Sequence, residues 1–557
     1  MADKKKQNNE VEFSMSPDGR KFELPGPKDY KKEGERLDQL VLEKRREGYE
    51  IVVVVGLGFV GAVMAAVVAD STDSNTGLPG KFVIGMQRPS TRSYWKIPLL
   101  NLGESPIKAE DPLVAELIDR CVNEKNTMIA TFTTEALKFA DVIVVDVQCD
   151  YIKEDLGNLM TGQVAMQALE DSMATIGKNM RPEALALIET TVAPGTTEYV
   201  AYPILEKEFK ERGIKTKPLL AHSYERVMPG KNYVSSVRDF WRVCSGVDDV
   251  ARKRVEKFLH EVLNTDRFPL TVLDRPIESE TAKIVENSYR ATILAYMNEW
   301  SLFAEKHGVD LPKVIEAIKI RPTHSNMIFP GPGIGGYCLP KDGGLGVWAH
   351  HNIMKDDEEI FKITPMAINI NDTRGLHAAD LAAEALKEMG KDVKGSKILL
   401  CGASYREDVG DTRYSGAELV VRKLAHMGAK MYAHDPYVDH WWEFEKQDSY
   451  PYPKHSLARF FENQEGLKDL QVQQDLKEAL EGMDAVIFSV RHQPYLKLDP
   501  DTVVEYAGGP IAVVDGFSVL PDDKIERYLE LGCEVMGLGR GHIPRLKEKV
   551  RKNKSGK

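Results

Sequence analysis

The chain has 557 residues, 42% of them hydrophobic and 29% charged, which is too long for one core and fits a soluble globular protein of two or three domains. Its formal net charge of −11 argues against a nucleic-acid or membrane-surface role. No apolar run reaches the roughly 18 uncharged residues of a membrane span.

The opening MADKKKQNNEVEFSM has no apolar stretch behind its basic residues and does not read as a secretory signal. Cysteines 121, 149, 244, 338, 401 and 533 lie far apart with no CxxC pair. That usage fits a reducing cytoplasm and argues against a disulfide framework or a zinc site, so no metal is expected.

Residues 1–50 are charged and poor in aliphatics; Leu37 to Arg46 reads as a helix and the remainder as a mobile extension. Ile51 to Val55 is a β-branched run, the pattern of a strand buried on both faces. Gly56-Leu57-Gly58-Phe59-Val60-Gly61 follows at once, and Ala62 to Ala69 continue as a helix of small residues. Strand, G-x-G-x-x-G and helix in that order form a dinucleotide site. Gly56 makes the tight turn, Gly58 admits a pyrophosphate, Gly61 lets helix close on strand, and the helix N-terminus favours the phosphate charge. After a polar insertion at 70–80, Lys81 to Met86 is the next strand. An NAD site wants Asp or Glu at its end for the ribose hydroxyls. Gln87 stands there instead, followed by Arg88 and Arg92. A Gln still binds a ribose hydroxyl, whereas an Arg tolerates a 2′-phosphate, so NAD against NADP stays open.

Asp141 to Val147 and Ala184 to Ile188 are further buried strands, with helical periodicity from Gln163 to Ile176 between them. Alternating strands and helices imply a doubly wound parallel sheet with ligands at the carboxyl ends of its strands. Thr190 and Thr191 follow at that edge, to touch a ligand or to cap the next helix. Leu219 to Gly230 makes another strand-to-loop step and sets Glu225 beside Arg226, as a surface ion pair or as site residues. Ile277 to His307 reads as a long helix, a spine that links domains and often builds a dimer interface. Lys283 and Asn287, four apart, share one face of it; they suit an oxyanion or a solvated surface.

Arg321 opens the segment leading into Gly331-Pro332-Gly333-Ile334-Gly335-Gly336-Tyr337-Cys338-Leu339-Pro340-Lys341-Asp342. Glycine so dense suits a loop that lets backbone approach a bulky ligand. The thiol, ammonium and carboxylate at its end suit a nucleophile, since a nearby Lys favours thiolate; a buried structural Cys is the alternative. Residues 365–390 are helical. Lys397 to Ala403, Lys430 to Pro436, Ala485 to Val490 and Ile511 to Asp515 are short buried strands of a second sheet domain without a G-x-G-x-x-G. Its loop from Tyr405 to Arg413 carries Arg406 and Arg413, suited to a nucleotide phosphate. Lys547 to Lys557 reads as a disordered basic tail.

In this order the segments resemble the UDP-glucose/GDP-mannose dehydrogenase family, over about residues 51–545. GLGFVG resembles its cofactor loop, Thr190-Thr191-Val192 with Pro194-Gly195-Thr196 its S-T-V-x-x-G-T, and Lys283 and Asn287 its E-x-x-K-x-x-x-N helix. GPGIGGYCLPKD is similar to the nucleophile loop G-x-G-x-G-G-x-C-x-x-K-D, and YREDVGDTRYSGA to F-K-x-x-x-x-D-x-R-x-S-x-A. The resemblance implies an α/β protein with two Rossmann-like doubly wound parallel-sheet domains, joined by a long central helix in an all-α dimerisation region. The expected divisions are an extension at 1–50, an NAD-binding domain at 51–270, and a central helical domain with the Cys loop at 271–390. A UDP-binding domain at 391–545 and a basic tail at 546–557 complete them.

The implied activity is cytoplasmic, NAD-dependent oxidation of a nucleotide sugar at C6 to the uronic acid, by a homodimer or higher oligomer. By family position Cys338 attacks the aldehyde, Lys283 and Asn287 stabilise the oxyanion, and Asp342 orients water or assists Lys283. Glu225 and Thr191 hold that water and shuttle protons. Gly56, Gly58, Phe59, Val60, Gly61, Gln87, Arg88 and Thr191 would bind the cofactor. Glu225, Arg226, Lys283, Asn287, Gly335, Gly336, Arg406 and Arg413 would bind the sugar nucleotide, and Arg321 would reach the substrate of a partner subunit. Departures are Gln87 for the acid, Gln148-Cys149-Asp150 for Pro-Thr-Pro, Arg406 for Lys, and insertions at 70–80 and 441–465. The run Glu225 to Gly230 resembles the E-R-x-x-P-G of the UDP-N-acetylhexosamine branch, which favours UDP-N-acetylmannosamine or UDP-N-acetylglucosamine over UDP-glucose, with GDP-mannose third. A two-electron alcohol dehydrogenase and a non-catalytic NAD-binding regulator are the competing classes.

Overall fold

The computed structural model describes residues 12–73, 76–228, 230–445 and 464–555. The chain divides into two compact units, one of residues 1–150, 165–283 and 352–355, the other of 151–164, 284–351 and 356–557. Each carries its own sheet.

The strands of the first unit's main sheet are β3 (Glu50–Val55), β4 (Lys81–Met86), β5 (Met128–Thr131), β6 (Val142–Val145), β9 (Leu185–Ile188), β10 (Leu219–Tyr224), β11 (Val243–Gly246) and β12 (Thr271–Val272). Their order across the sheet is β12-β11-β10-β9-β6-β3-β4-β5. Strands β3 to β10 pair in parallel, and β11 runs antiparallel to β10. The β-branched run of β3 is buried along its length, as expected of a strand covered on both faces. The helix that follows, α2 (Phe59–Asp70), buries every residue from Gly61 to Ala69. Its small side chains let its axis lie close to the sheet.

Residues 13–46 correct the expectation of a mobile extension. Strands β1 (Phe13–Met15) and β2 (Lys21–Glu23) form a hairpin, and α1 spans Pro27–Arg46. Asp29 accepts from the Gly26 amide at 2.9 Å and caps the helix. Leu37 and Val41, four apart, are buried, so one apolar stripe suffices to dock a charged helix. Polar contacts fix the helix and the hairpin: in the helix, Glu33 accepts from Thr131 Oγ1 at 2.6 Å and Arg45 donates to the Phe139 carbonyl at 2.7 Å, and in β1, Ser14 Oγ accepts from the Trp95 amide at 3.1 Å. The basic tail is corrected in the same way. Ile543–Ser555 is a helix that buries Ile543 and Val550 and pairs Lys549 with Glu526 at 2.6 Å. Gln163–Ala165, expected in a helix, is strand β8, paired with β7 (Asp150–Ile152); the helix begins at Gln167 and ends at Asn179. Of the two insertions, 70–80 is closed by a Thr72–Pro79 bridge, and most of 441–465 lies outside the described residues.

The second unit holds a six-stranded, wholly parallel sheet. Its strands are β13 (Lys397–Cys401), β14 (Lys430–His434), β15 (Val472–Gln473), β16 (Ala485–Phe488), β17 (Ala512–Asp515) and β18 (Glu534–Gly537), in the order β15-β14-β13-β16-β17-β18. Between the two sheets in sequence lies a helical region: Pro276–His307, Leu311–Lys319, Asp342–Asn352 and Ile363–Glu388. The Pro276–His307 helix gives its residues up to Lys283 to the first unit and the rest to the second.

Because Leu37 is fully buried, Leu37→Ala is expected to destabilise the first unit by about 2–5 kcal/mol. A lowered urea midpoint checks this; an unchanged midpoint would mean that α1 is not docked.

Candidate active site

In the first unit the glycine loop has the shape its spacing demands. Gly56 has φ +99°, and a Cβ on it would lie 2.5 Å from the Asp146 carbonyl oxygen. A Cβ on Gly61 would lie 2.0 Å from the Gly56 carbonyl oxygen. Both positions exclude a side chain. Gly58 differs: nothing lies within 4 Å of an added Cβ. The space beside Gly58 is therefore open, at the N-terminus of a twelve-residue helix, and this cradle fits the pyrophosphate of a dinucleotide. Gln87 accepts the Leu57 amide through Oε1 at 2.9 Å, so the amide that replaces the expected acid fastens the loop. Arg88 is exposed. Lys96, which no sequence pattern singles out, donates to the Leu57 carbonyl at 3.1 Å from a largely buried position that lowers its pKa. The Phe59 ring stacks on Tyr233 at 5.2 Å, and the Tyr233 hydroxyl donates to the Phe59 carbonyl. Val60 is half-buried in the first turn of α2.

Thr190 and Thr191 are half-buried beyond β9, and neither caps the next helix. Their loop is fastened by Glu280 of the long helix. Its carboxylate accepts from the Gly195 amide at 2.6 Å, the Thr197 amide at 2.8 Å and Thr197 Oγ1 at 2.6 Å, and burial pushes its pKa up to about 8. Glu225, at the end of β10, is buried and faces Lys283, not Arg226. Lys283 Nζ donates to the Glu225 carbonyl at 2.7 Å, lies 3.5 Å from Oε1, and stands over the Tyr224 ring at 5.4 Å. Arg226 instead donates to the Trp241 carbonyl at 2.7 Å and to the Tyr224 hydroxyl at 3.0 Å. The bland expectation of a Glu225–Arg226 ion pair is thus replaced by two separate contacts. Glu189 forms a buried pair with Arg242 at 2.5 Å, which no spacing announces because the partners lie on different strands.

In the second unit the Cys loop leads into the helix Asp342–Asn352. The Cys338 carbonyl accepts from the Lys341 amide at 3.1 Å and the Asp342 amide at 2.9 Å, a turn that sets the thiol one turn before that helix. Cys338 is half-buried; the other five cysteines are buried. Asp342 is buried and accepts from Asn287 Nδ2 at 2.8 Å and from Lys341 Nζ at 3.1 Å. The structure therefore joins Asn287, Lys341 and Asp342 in one network, in which Lys341, expected to favour the Cys338 thiolate, pairs with Asp342. The glycines admit Tyr405: a Cβ on Gly335 would lie 2.2 Å from the Tyr405 Cβ, and Gly336 has φ +86° with the same ring at 3.0 Å. The Gly336 amide donates to the Arg413 carbonyl at 2.8 Å, tying the Cys loop to the loop after β13. Arg413 is held by Asp411 through Nε at 2.9 Å, while Arg406 is half-buried and its carbonyl accepts from Ser404 Oγ at 2.9 Å. Arg491, after β16, lies over the Phe329 ring at 5.2 Å. The order of strands reverses between β13 and β16, and ligands of such sheets lie at that switch point. Arg321 is exposed on the segment before the Cys loop.

These glycines give opposite expectations. Gly58→Val leaves the fold intact, because its space is open, and weakens NAD binding by at least tenfold. Gly61→Val drives a side chain into the Gly56 carbonyl and lowers the melting temperature. Isothermal titration with NAD and thermal melts of both variants check the contrast.

Comparison with known proteins bears on all three loops. Residues 50–264 match the NAD binding domain of the UDP-glucose/GDP-mannose dehydrogenase family, residues 277–373 its central domain, and residues 399–522 its UDP binding domain. The chain is 26% identical over 497 residues to the UDP-N-acetyl-D-mannosamine dehydrogenase of Pyrococcus horikoshii, covering 88% of this chain and all of that one. It is 27% identical over 466 residues to the protein of that name from Methanocaldococcus jannaschii, covering 84% and 91% of the two chains. A solved structure described as an NDP-N-acetyl-D-galactosaminuronic acid dehydrogenase from Methanosarcina mazei Go1 matches with a TM-score of 0.71 at 27% identity, covering 91% of this chain and 98% of that one. The chain belongs to the UDP-glucose/GDP-mannose dehydrogenase family and is an NAD-dependent nucleotide-sugar dehydrogenase.

Proposed function

We propose that the chain oxidises the C6 hydroxyl of UDP-N-acetylmannosamine, or next UDP-N-acetylglucosamine, to the carboxylate through a covalent adduct on Cys338. The observation that carries this reading is the setting of Cys338. It is the one cysteine of six that is not buried, and its loop ends on the Asn287–Asp342–Lys341 network. A single alcohol oxidation needs no nucleophile, whereas oxidation of the resulting aldehyde does. Support for the sugar comes from the E-R-x-x-P-G run at Glu225 and from the activity for which the two UDP-N-acetyl-D-mannosamine dehydrogenases above are named. UDP-glucose is the alternative, then GDP-mannose.

NAD bound at the glycine loop supplies the hydride acceptor for both oxidations. The chain's residues do the rest. The Cys338 sulfur adds to the aldehyde carbon and forms a thiohemiacetal, whose oxygen carries the developing charge. Lys283 and Asn287 are its proposed partners, as a cation and an amide donor. Loss of hydride from that carbon leaves a thioester, and attack by water releases the carboxylate and frees the thiol. Glu225, already beside Lys283 Nζ, and Thr191 hold that water and take its proton. Asp342 orients the Asn287 amide. Arg406 and Arg413 hold the nucleotide phosphates, which suits a guanidinium. These roles divide the chain into the domains 51–270, 271–390 and 391–545, and a cysteine that must stay reduced fits the cytoplasm. No helix among the described residues is long and apolar enough to cross a membrane.

The proposed active form is a homodimer or higher oligomer. The long helix presents Val285, Tyr289, Tyr296, Trp300 and Phe303 on one face, each at least 42% exposed. Such a contiguous apolar stripe marks an interaction surface, and a second copy is its proposed occupant. Arg321, exposed in the same unit, would then reach the neighbouring copy's substrate.

NADH formation over a panel of UDP- and GDP-sugars tests the substrate; the account expects the N-acetylhexosamine sugars to lead. Cys338→Ala is expected to lower uronate formation by roughly 10⁶-fold, in line with loss of a nucleophile; retention of uronate formation sinks the mechanism. Trp300→Glu is expected to yield a smaller particle in light scattering.

A further inference from the structure

The carboxyl edge of the first sheet carries more acid than the proposed chemistry uses. Asp146 follows β6, Glu189 follows β9 and Glu225 ends β10, three strands that are neighbours in the sheet. One guanidinium stands among them. Arg242 precedes β11, which runs antiparallel to β10, and its Nη1 lies 2.5 Å from Glu189 Oε1 in a fully buried pair. Glu225 has its own partners, the Val227 amide and Lys283 Nζ. The other oxygens do not: Asp146 Oδ2 and Glu189 Oε2 are both enclosed, and neither has a hydrogen-bond partner among the described residues. Two enclosed carboxylate oxygens without a donor are costly. One proton between them supplies the missing hydrogen bond and removes a charge, as in other carboxyl pairs that share a site.

The electrostatics agree with the geometry. Burial first, then the charges of Glu189 and Glu225, hold the Asp146 carboxyl well above the ordinary range, with Arg242 opposing them. Burial raises Glu189 as well, against Arg242. These are the charged groups that face Asp146. The helix α2 sets Gly61 against it, whose added Cβ would lie 3.1 Å from Asp146 Oδ2. Gly56, at the end of β3, packs closer still, an added Cβ lying 2.5 Å from the Asp146 carbonyl oxygen. Asp146 thus adjoins the turn that fits the pyrophosphate.

We propose that Asp146 and Glu189 share one proton, and that this proton sets the affinity of the adjoining glycine loop for NAD. With the proton in place, Asp146, Glu189 and Arg242 sum to zero charge. Without it, a net negative charge lies beside the site of a negatively charged pyrophosphate. NAD therefore prefers the protonated pair. Its affinity is flat below the pH at which Asp146 ionises and falls above it, by up to about tenfold per pH unit. Asp146 acts here as a positioning residue. The inference goes beyond the proposed oxidation and does not depend on which sugar is oxidised.

The test is the NAD dissociation constant of the full chain, measured by isothermal titration from about pH 6 to about pH 10 without sugar. The wild-type constant rises above the pH at which Asp146 ionises, and Asp146→Asn, which keeps the shape and removes the charge, makes it flat. Titrations of the wild type in two buffers of different ionisation heat then find proton uptake on NAD binding over the same range in which the constant rises. If the variant fails to fold, those wild-type titrations decide alone. A pH-independent wild-type constant, binding without proton uptake, or an Asp146→Asn protein that keeps the wild-type dependence would each overturn the proposal.

Discussion

The close approach of two backbone segments in the first unit shapes its dinucleotide site. Gly61 stands so near the Gly56 carbonyl that a Cβ would lie 2.0 Å from that oxygen, and a Cβ on Gly56 would lie 2.5 Å from the Asp146 carbonyl oxygen. No side chain fits either gap, so α2 reaches the end of β3 directly and its first amides face the open space at Gly58. The neighbouring contacts maintain that arrangement. Gln87 accepts from the Leu57 amide and Lys96 donates to the Leu57 carbonyl, and the buried small-residue face of α2 holds the helix on the sheet.

The second unit uses glycine for a different end. At Gly335 and Gly336 the gap is filled from within the unit by the Tyr405 ring, so the Cys loop and the loop after β13 are packed as one body. The network of Asn287, Lys341 and Asp342 then fixes the chain just after Cys338. In both units a glycine-dense sequence serves a contact that only a residue without a side chain allows, and in both the contact lies beside the proposed chemistry.

The elements that could be read from the residues were those with strong local pattern. The β-branched runs of β3 and β6 and the apolar run of β16 became strands within a residue or two of expectation at most ends, and Gly56, Gly58 and Gly61 adopt the turn their spacing implies. The docking of α1 was not legible, because charged residues dominate its composition and only Leu37 and Val41 anchor its apolar stripe. Of the two readings open for Glu225 and Arg226, the ion pair fails because adjacent residues at the end of a strand point to opposite faces. Long-range partners such as Glu189 with Arg242, or Lys96 with the Leu57 carbonyl, leave no local signal. They exist only once the sheet brings separate strand ends together. Gln87 is an instructive departure: an amide in place of an acid still fastens the loop, so the substitution preserves the turn.

The central claim is that one active site carries out both oxidations, the second through Cys338. The most direct measurement is the stoichiometry of a reaction taken to completion with limiting UDP-N-acetylmannosamine, with NADH followed by absorbance and the sugar nucleotide by mass. The account predicts two NADH for each sugar nucleotide consumed and a product that carries a C6 carboxylate. One NADH for each, with an aldehyde as the final product, would contradict it.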